Sequence, residues 1–154
     1  MIAAPKRLRR SKWLICLILI LLNIAFIWGN SALPGEISGA ISNWLAQLLG
    51  GSLETPGGTG LLRKLAHLSE FACLGFLLAW YAWLRGERGF HLLALSLLGG
   101  LLTACVDESI QLISPDRGPS LVDVWIDTCG VVIGLTTLFV IKSKIKNIPG
   151  GNKQ

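Results

Sequence analysis

Four ionisable side chains stand at the head of a long apolar run: Arg63, Lys64, His67 and Glu70. A histidine titrates near neutral pH, a nearby carboxylate can orient it for proton transfer, and a guanidinium or ammonium can hold a phosphate. Arg63, His67 and Glu70 fall at i, i+4 and i+7, which is one face of a helix. Moving a charge into hydrocarbon costs roughly 3 kcal/mol or more even on lenient insertion scales. Residues of this kind inside an apolar segment therefore need partners and a purpose.

Candidate partners lie further along the chain. Asp107 and Gln111 are at i and i+4 at the end of the third apolar run, with Glu108 beside them, and Asp123, Asp127, Gly130 and Gly134 are at i, i+4, i+7 and i+11 in the fourth. Of the nine acidic residues, Glu70, Asp107, Glu108, Asp116, Asp123 and Asp127 fall in one layer with Arg63, Lys64, His67 and Arg117. The expectation is an outward-open polar pocket with His67 and Glu70 as candidate catalytic residues. Arg63, Lys64, Asp107, Glu108, Gln111, Arg117, Asp123 and Asp127 are the candidate ligand-binding set. Arg63 and Lys64 at a helix N-terminus, and Asp107 and Glu108 near a C-terminus, each have the wrong sign for the helix dipole. Cross-helix pairing would explain them: Arg63 or Lys64 with Asp107 or Glu108, and Arg117 with Asp123 or Glu70. Structural roles compete for several of these residues. Ser120-Leu-Val-Asp123 fits a capping box, Arg63 and Lys64 could snorkel to the interface, and Gly130 with Gly134 suits tight packing inside a bundle.

The elements that must position this layer follow from composition. The chain has 154 residues, 52% apolar and 15% charged, with charges in blocks between apolar runs, which describes a polytopic membrane protein. Its net charge of +5 comes from Lys6, Arg7, Arg9, Arg10 and Lys12 before the first run and Lys142, Lys144, Lys146 and Lys153 after the last. That placement writes a positive-inside topology with both termini cytoplasmic and argues against nucleic acid as a partner. The four cysteines lie in apolar runs without CxxC spacing, so neither a zinc motif nor a disulfide framework is indicated.

The expected fold is all-α, a four-transmembrane-helix bundle with a short amphipathic outer helix between spans one and two. The boundaries are a basic arm at 1–12, a transmembrane domain at 13–141 with spans near 13–29, 61–84, 90–113 and 120–141, and a basic tail at 142–154. Each run is about long enough for 30 Å of hydrocarbon. Trp13 and Trp28 would mark the two interfaces of the first span, read as a retained anchor and not a cleaved signal. Between spans one and two, Ile37, Ile41, Trp44, Leu45, Leu48 and Leu49 share a helical face without basic residues, suited to lie against the bundle or the outer headgroups. The Gly-rich stretch 55–60 lacks a phosphate-loop lysine. His91, alone at the inner interface, reads as structural. Pro115-Asp-Arg-Gly-Pro119 reads as a tight outer turn.

The segments RKLAHLSEF from Arg63 and DESIQLISPDRGPSLVDVWIDTCGVVIG from Asp107 resemble the VanZ-like membrane proteins. The shared features are an Arg-Lys, a His, an acid and an aromatic in one span, then Asp-Glu with a following Gln, a Pro-x-Arg turn, and an Asp-Val leading into a Gly-rich helix. The resemblance covers spans two to four, about half of the chain. It implies a protein of the bacterial cytoplasmic membrane, connected with the cell envelope and, through the founding member, with resistance to the glycopeptide teicoplanin. Asp127 stands where the family pattern would place Asn, adding a negative charge.

Three functions compete. The first is binding of an envelope component, a lipid headgroup or lipid-linked precursor, with phosphate held by Arg63, Lys64 and Arg117. The second is an enzyme on a lipid-linked substrate, with His67 as general base, Glu70 orienting it, and Asp107, Glu108, Asp123 or Asp127 supplying an acid or holding a divalent cation. No other cofactor is evident. The third, a small transporter using the acids as a relay, ranks last because polar residues stop in the outer half. Oligomerisation is left open.

Overall fold

The computed structural model describes residues 6–48 and 58–146. These fold into five helices: α1 (Lys6–Ala32), α2 (Gly35–Leu48), α3 (Gly58–Arg85), α4 (Gly89–Gln111) and α5 (Leu121–Lys146). Four stretches, Ser11–Ala32, Leu61–Arg85, Gly89–Gln111 and Leu121–Ile145, are long and apolar enough to cross a membrane, so the chain is a multi-pass all-α membrane protein. Positions 55–57 of the Gly-rich stretch and the tail beyond 146 lie outside the described residues.

Two helix ends differ from the expected spans in ways that matter to the site. Helix α1 runs past position 29 to Ala32, and that extra turn carries Asn30 and Ser31 inward. Helix α4 stops at Gln111, two residues short of 113: Leu112 N–H still reaches the Glu108 carbonyl at the helical i−4 spacing, but Ile113 N–H turns to Ile110 and Ser114 N–H to Gln111, each at the tighter i−3 spacing.

Helix α3 is the centre of the bundle and contacts every other helix, α5 most extensively. In lipid there is no hydrophobic force to draw apolar helices together, so close contact depends on small residues at the crossing. A Cβ at Gly134 would collide with the Ala72 carbonyl oxygen, and one at Gly130 would come within 2.6 Å of the Leu68 carbonyl oxygen. The two glycines thus serve the contact inside the bundle that their spacing suggested. Phe71, Leu74, Leu77 and Val131 fill the core beside this crossing, joined by Cys16, Ile20 and Ile27 of α1. Ala79, Ala82, Leu92, Leu135 and Leu138 continue it toward the far end. Leu22, Phe26, Leu102 and Trp125 are among the large exposed residues left for lipid to cover. All four cysteines are free, Cys16 buried and the others exposed.

The starts of α1 and α4 and the ends of α3 and α5 share one end of the bundle. Arg85 lies over the Trp13 ring, while Arg88 and Lys142 lie over Trp83. Here α3 closes with Gly86 at φ 102°, which lets Gly86 N–H reach the Trp83 carbonyl and Glu87 N–H the Ala82 carbonyl. Trp28, expected as an interface marker, also ties two helices together. Its indole packs against the core and donates to the Thr103 carbonyl at 3.3 Å, tying α1 to α4. At the opposite end, α2 is pinned by Gly35 N–H to the Pro115 carbonyl at 3.0 Å. The apolar side chains Ile37, Ile41, Trp44 and Leu48 of α2 are exposed. Those of Leu45 and Leu49 lie outside the described residues.

Candidate functional site

The polar residues gather at the α2 end. From α3 come Arg63, His67 and Glu70, whose helical spacing turns all three toward one cavity of about 300 Å³. The cavity is lined on its other sides by Phe26, Asn30 and Leu33 from α1 and its exit, Ser38 and Ile41 from α2, and Arg117 from the α4–α5 turn. Lys64, one residue beyond Arg63, is exposed and does not line it.

Behind the cavity is a buried acidic layer. Asp107, Glu108 and Gln111 of α4 and Asp123 and Asp127 of α5 are all buried. Gln111 Nε2 donates to Asp107 Oδ2 at 3.0 Å and to Glu108 Oε1 at 3.2 Å, so one amide holds two carboxylates. Ser31 Oγ of α1 also donates to Asp107 Oδ2, at 2.8 Å. His67 joins the layers: it lines the cavity, yet its Nδ1 is 3.9 Å from Asp107 Oδ2 and 3.8 Å from Asp127 Oδ1. These are the ion pairs found within 4.0 Å among the described residues, so the pairing expected of Arg63, Lys64 and Arg117 with the acids does not form there. Glu70 Oε1 instead accepts from Asn30 Nδ2 at 2.9 Å.

Arg117 shows why. The turn after α4 is drawn toward α1, with Ser114 Oγ donating to the Ser31 carbonyl at 2.9 Å. Arg117 then donates one terminal nitrogen to the same carbonyl at 3.1 Å and the other to Ser38 Oγ at 2.6 Å. Burial lowers its pKa below the ordinary arginine value and the nearby Arg63 adds to the shift, while the charges of Asp107 and Glu108 oppose it. An arginine so placed still carries its charge at neutral pH. Asp116 before it adopts φ 57°, an uncommon left-handed conformation for a residue other than glycine that sets the turn.

The capping box is replaced by a tertiary cap. Ser120 N–H, which the Asp123 carboxylate would accept in a box, donates to Glu108 Oε2 at 2.6 Å. Glu108 thereby steadies the start of α5, and Asp123 Oδ1 is left buried without a hydrogen-bond partner among the described residues. Asn30, Ser31, Ser38 and Ser114 are site residues that no charge or motif in the sequence singles out. Asn30 and Ser31 close an apolar run, and the last turn of α1 beyond position 29 is what brings them to the site.

The arrangement offers a cavity with two arginines in its wall, a histidine at its back, and buried carboxylates behind that histidine. A family model described as VanZ/LLP1 matches residues 12–142 of the chain. No curated protein and no solved structure matches it.

Proposed function

The chain belongs to the VanZ/LLP1 family, and from that premise we propose that its α2-end cavity faces outward and binds the anionic headgroup of an envelope lipid or lipid-linked precursor. The observation that carries this reading is the pair Arg63 and Arg117 in one cavity wall, neither with a carboxylate within 4.0 Å among the described residues. Guanidiniums with no carboxylate in direct contact suit phosphate oxygens, and Arg117 is held in place by Ser31 and Ser38 before any ligand arrives. Phe26, Leu33, Ile41, Leu62 and Ala66 make the rest of the wall apolar, as the shoulder of a lipid requires. The gathering of Arg85, Arg88 and Lys142 at the opposite end supports a cytoplasmic placement of that end in the bacterial inner membrane. Resistance to glycopeptides or envelope stress would follow from holding such a component.

Lipid retained through purification tests this directly. Native mass spectrometry of the wild-type protein should show a phosphate-bearing lipid whose mass separates a phospholipid from a lipid-linked precursor. Losing a charged hydrogen-bond partner costs about 1.5–3 kcal/mol, so the Arg63→Ala/Arg117→Ala protein, which loses two, should bind the lipid more weakly by well over about tenfold. Equal retention by the folded double variant would end the proposal.

One observation favours a second reading. His67 both lines the cavity and backs onto Asp107 and Asp127, as an acid-base or metal-assisted enzyme acting on the same lipid would need. Turnover of envelope lipids that His67→Gln abolishes, with binding retained, would select it. Conduction finds less support, because Phe71, Leu74, Leu77, Leu135 and Leu138 fill the core beyond the acidic layer.

A further inference from the structure

We infer that His67, Asp107 and Asp127 form a binding site for a divalent transition-metal ion of the zinc class, with one ligand from each of α3, α4 and α5. This goes beyond headgroup binding and does not rest on it.

The three residues each offer a ligand atom, and these atoms lie within 4.8 Å of one another. His67 Nδ1 is 3.9 Å from Asp107 Oδ2 and 3.8 Å from Asp127 Oδ1. Such separations are too long for hydrogen bonds, whose N–H···O distances end near about 3.2 Å. They suit groups arranged around an ion instead. Two ligands at about 2.1 Å from zinc, at a tetrahedral angle, stand about 3.4 Å apart, so each His67–carboxylate separation closes by about half an ångström and the two carboxylates by no more than about 1.4 Å.

Burial makes the case independent of the acidic cluster as such. Asp107 and Asp127 are 0% exposed and His67 is 7% exposed. Among the described residues, His67 Nδ1, Asp107 Oδ1 and both Asp127 oxygens have no hydrogen-bond partner. Buried carboxylates that nothing neutralises are strongly disfavoured, so a cation or protons must accompany this pair. The surroundings point to the cation. Ser31 and Gln111 both donate to Asp107 Oδ2 and fix the orientation of that carboxylate, as second-layer partners of metal ligands do. Two carboxylates balance a dication, and the imidazole nitrogen favours transition ions over Ca²⁺ or Mg²⁺, which prefer oxygen-only sets. Were a proton on His67 the whole answer, charge-assisted hydrogen bonding would draw the imidazolium and a carboxylate to about 2.7–2.9 Å.

The test uses the full chain in detergent, stripped with a chelator and titrated with Zn²⁺ against a chromophoric competitor. The wild type should bind one Zn²⁺ per chain. Asp127→Asn should weaken binding by about tenfold or more, the range seen when even second-layer partners of a metal are lost. Replacing the exposed Cys73, Cys105 and Cys129 by Ser should leave it unchanged. Absence of saturable binding, equal binding by Asp127→Asn, or loss of binding with the cysteines would each overturn the inference. Should Asp127→Asn fail to fold, zinc-edge X-ray absorption of the loaded wild type decides. A nitrogen and oxygen shell with a histidine signature supports the site, and a sulfur shell refutes it.

Discussion

Gln111 illustrates how much of the site depends on neutral residues between charged ones. Its amide donates to Asp107 and Glu108, while the Glu108 carboxylate also accepts from Ser120 N–H. Gln111→Leu would keep the volume but leave buried carboxylate oxygens short of a donor, at a cost of about 1–3 kcal/mol. A lower Tm in detergent should report it, and an unchanged Tm would mean that the amide does not support the layer. The convergence of His67, Asp107 and Asp127 was legible in the sequence, because charges in an apolar run are costly and their helical spacing fixes their faces. The direction of Arg117 was not, since a turn residue has no helical face. Its partners are a backbone carbonyl and the Ser38 hydroxyl, which spacing does not single out. Asp123 likewise matched a capping box by pattern, yet the carboxylate that serves Ser120 N–H comes from α4.

At the scale of elements, the four apolar runs were plain from their length, and the contact between α3 and α5 was foreshadowed by Gly130 and Gly134. What the sequence withheld was how far each helix runs. The added turn at Asn30 and Ser31 makes α1 a wall of the site, and the short loop to Gly35 lets α2 close over it. The close approach of α3 and α5 positions His67 against Asp127, so loosening it should unfold the site and the bundle together. In Gly134→Val a Cβ would meet the Ala72 carbonyl, backbone that cannot swing aside. Overpacking of this kind costs about 1–3 kcal/mol, occasionally more. Thermal unfolding and the yield of monodisperse protein should both fall. Gly29→Ala, where an added Cβ meets nothing within 4 Å, is the matched control and should behave as wild type. Equal behaviour of the two variants would contradict the packing described.

Across the whole molecule, polarity is divided between two ends. Arg85, Arg88 and Lys142 sit with Trp13 and Trp83 at one end, and the cavity, the acidic layer and α2 occupy the other. An apolar core lies between the two ends, and Ile37, Trp44 and Leu48 of α2 are exposed on the helix that lines the cavity through Ser38 and Ile41. On the proposed reading, a ligand with a phosphate and an apolar shoulder would meet Arg63 and Arg117 while its chains remain in lipid. The most direct measurement is photo-cross-linking in native membranes from a photoreactive residue at Leu62, which lines the cavity beside Arg63. The expected product is an adduct with a phosphate-bearing lipid that disappears when Arg117→Ala is introduced. An adduct undiminished by Arg117→Ala, or no phosphate-bearing adduct at all, would contradict an anion-binding cavity at this end.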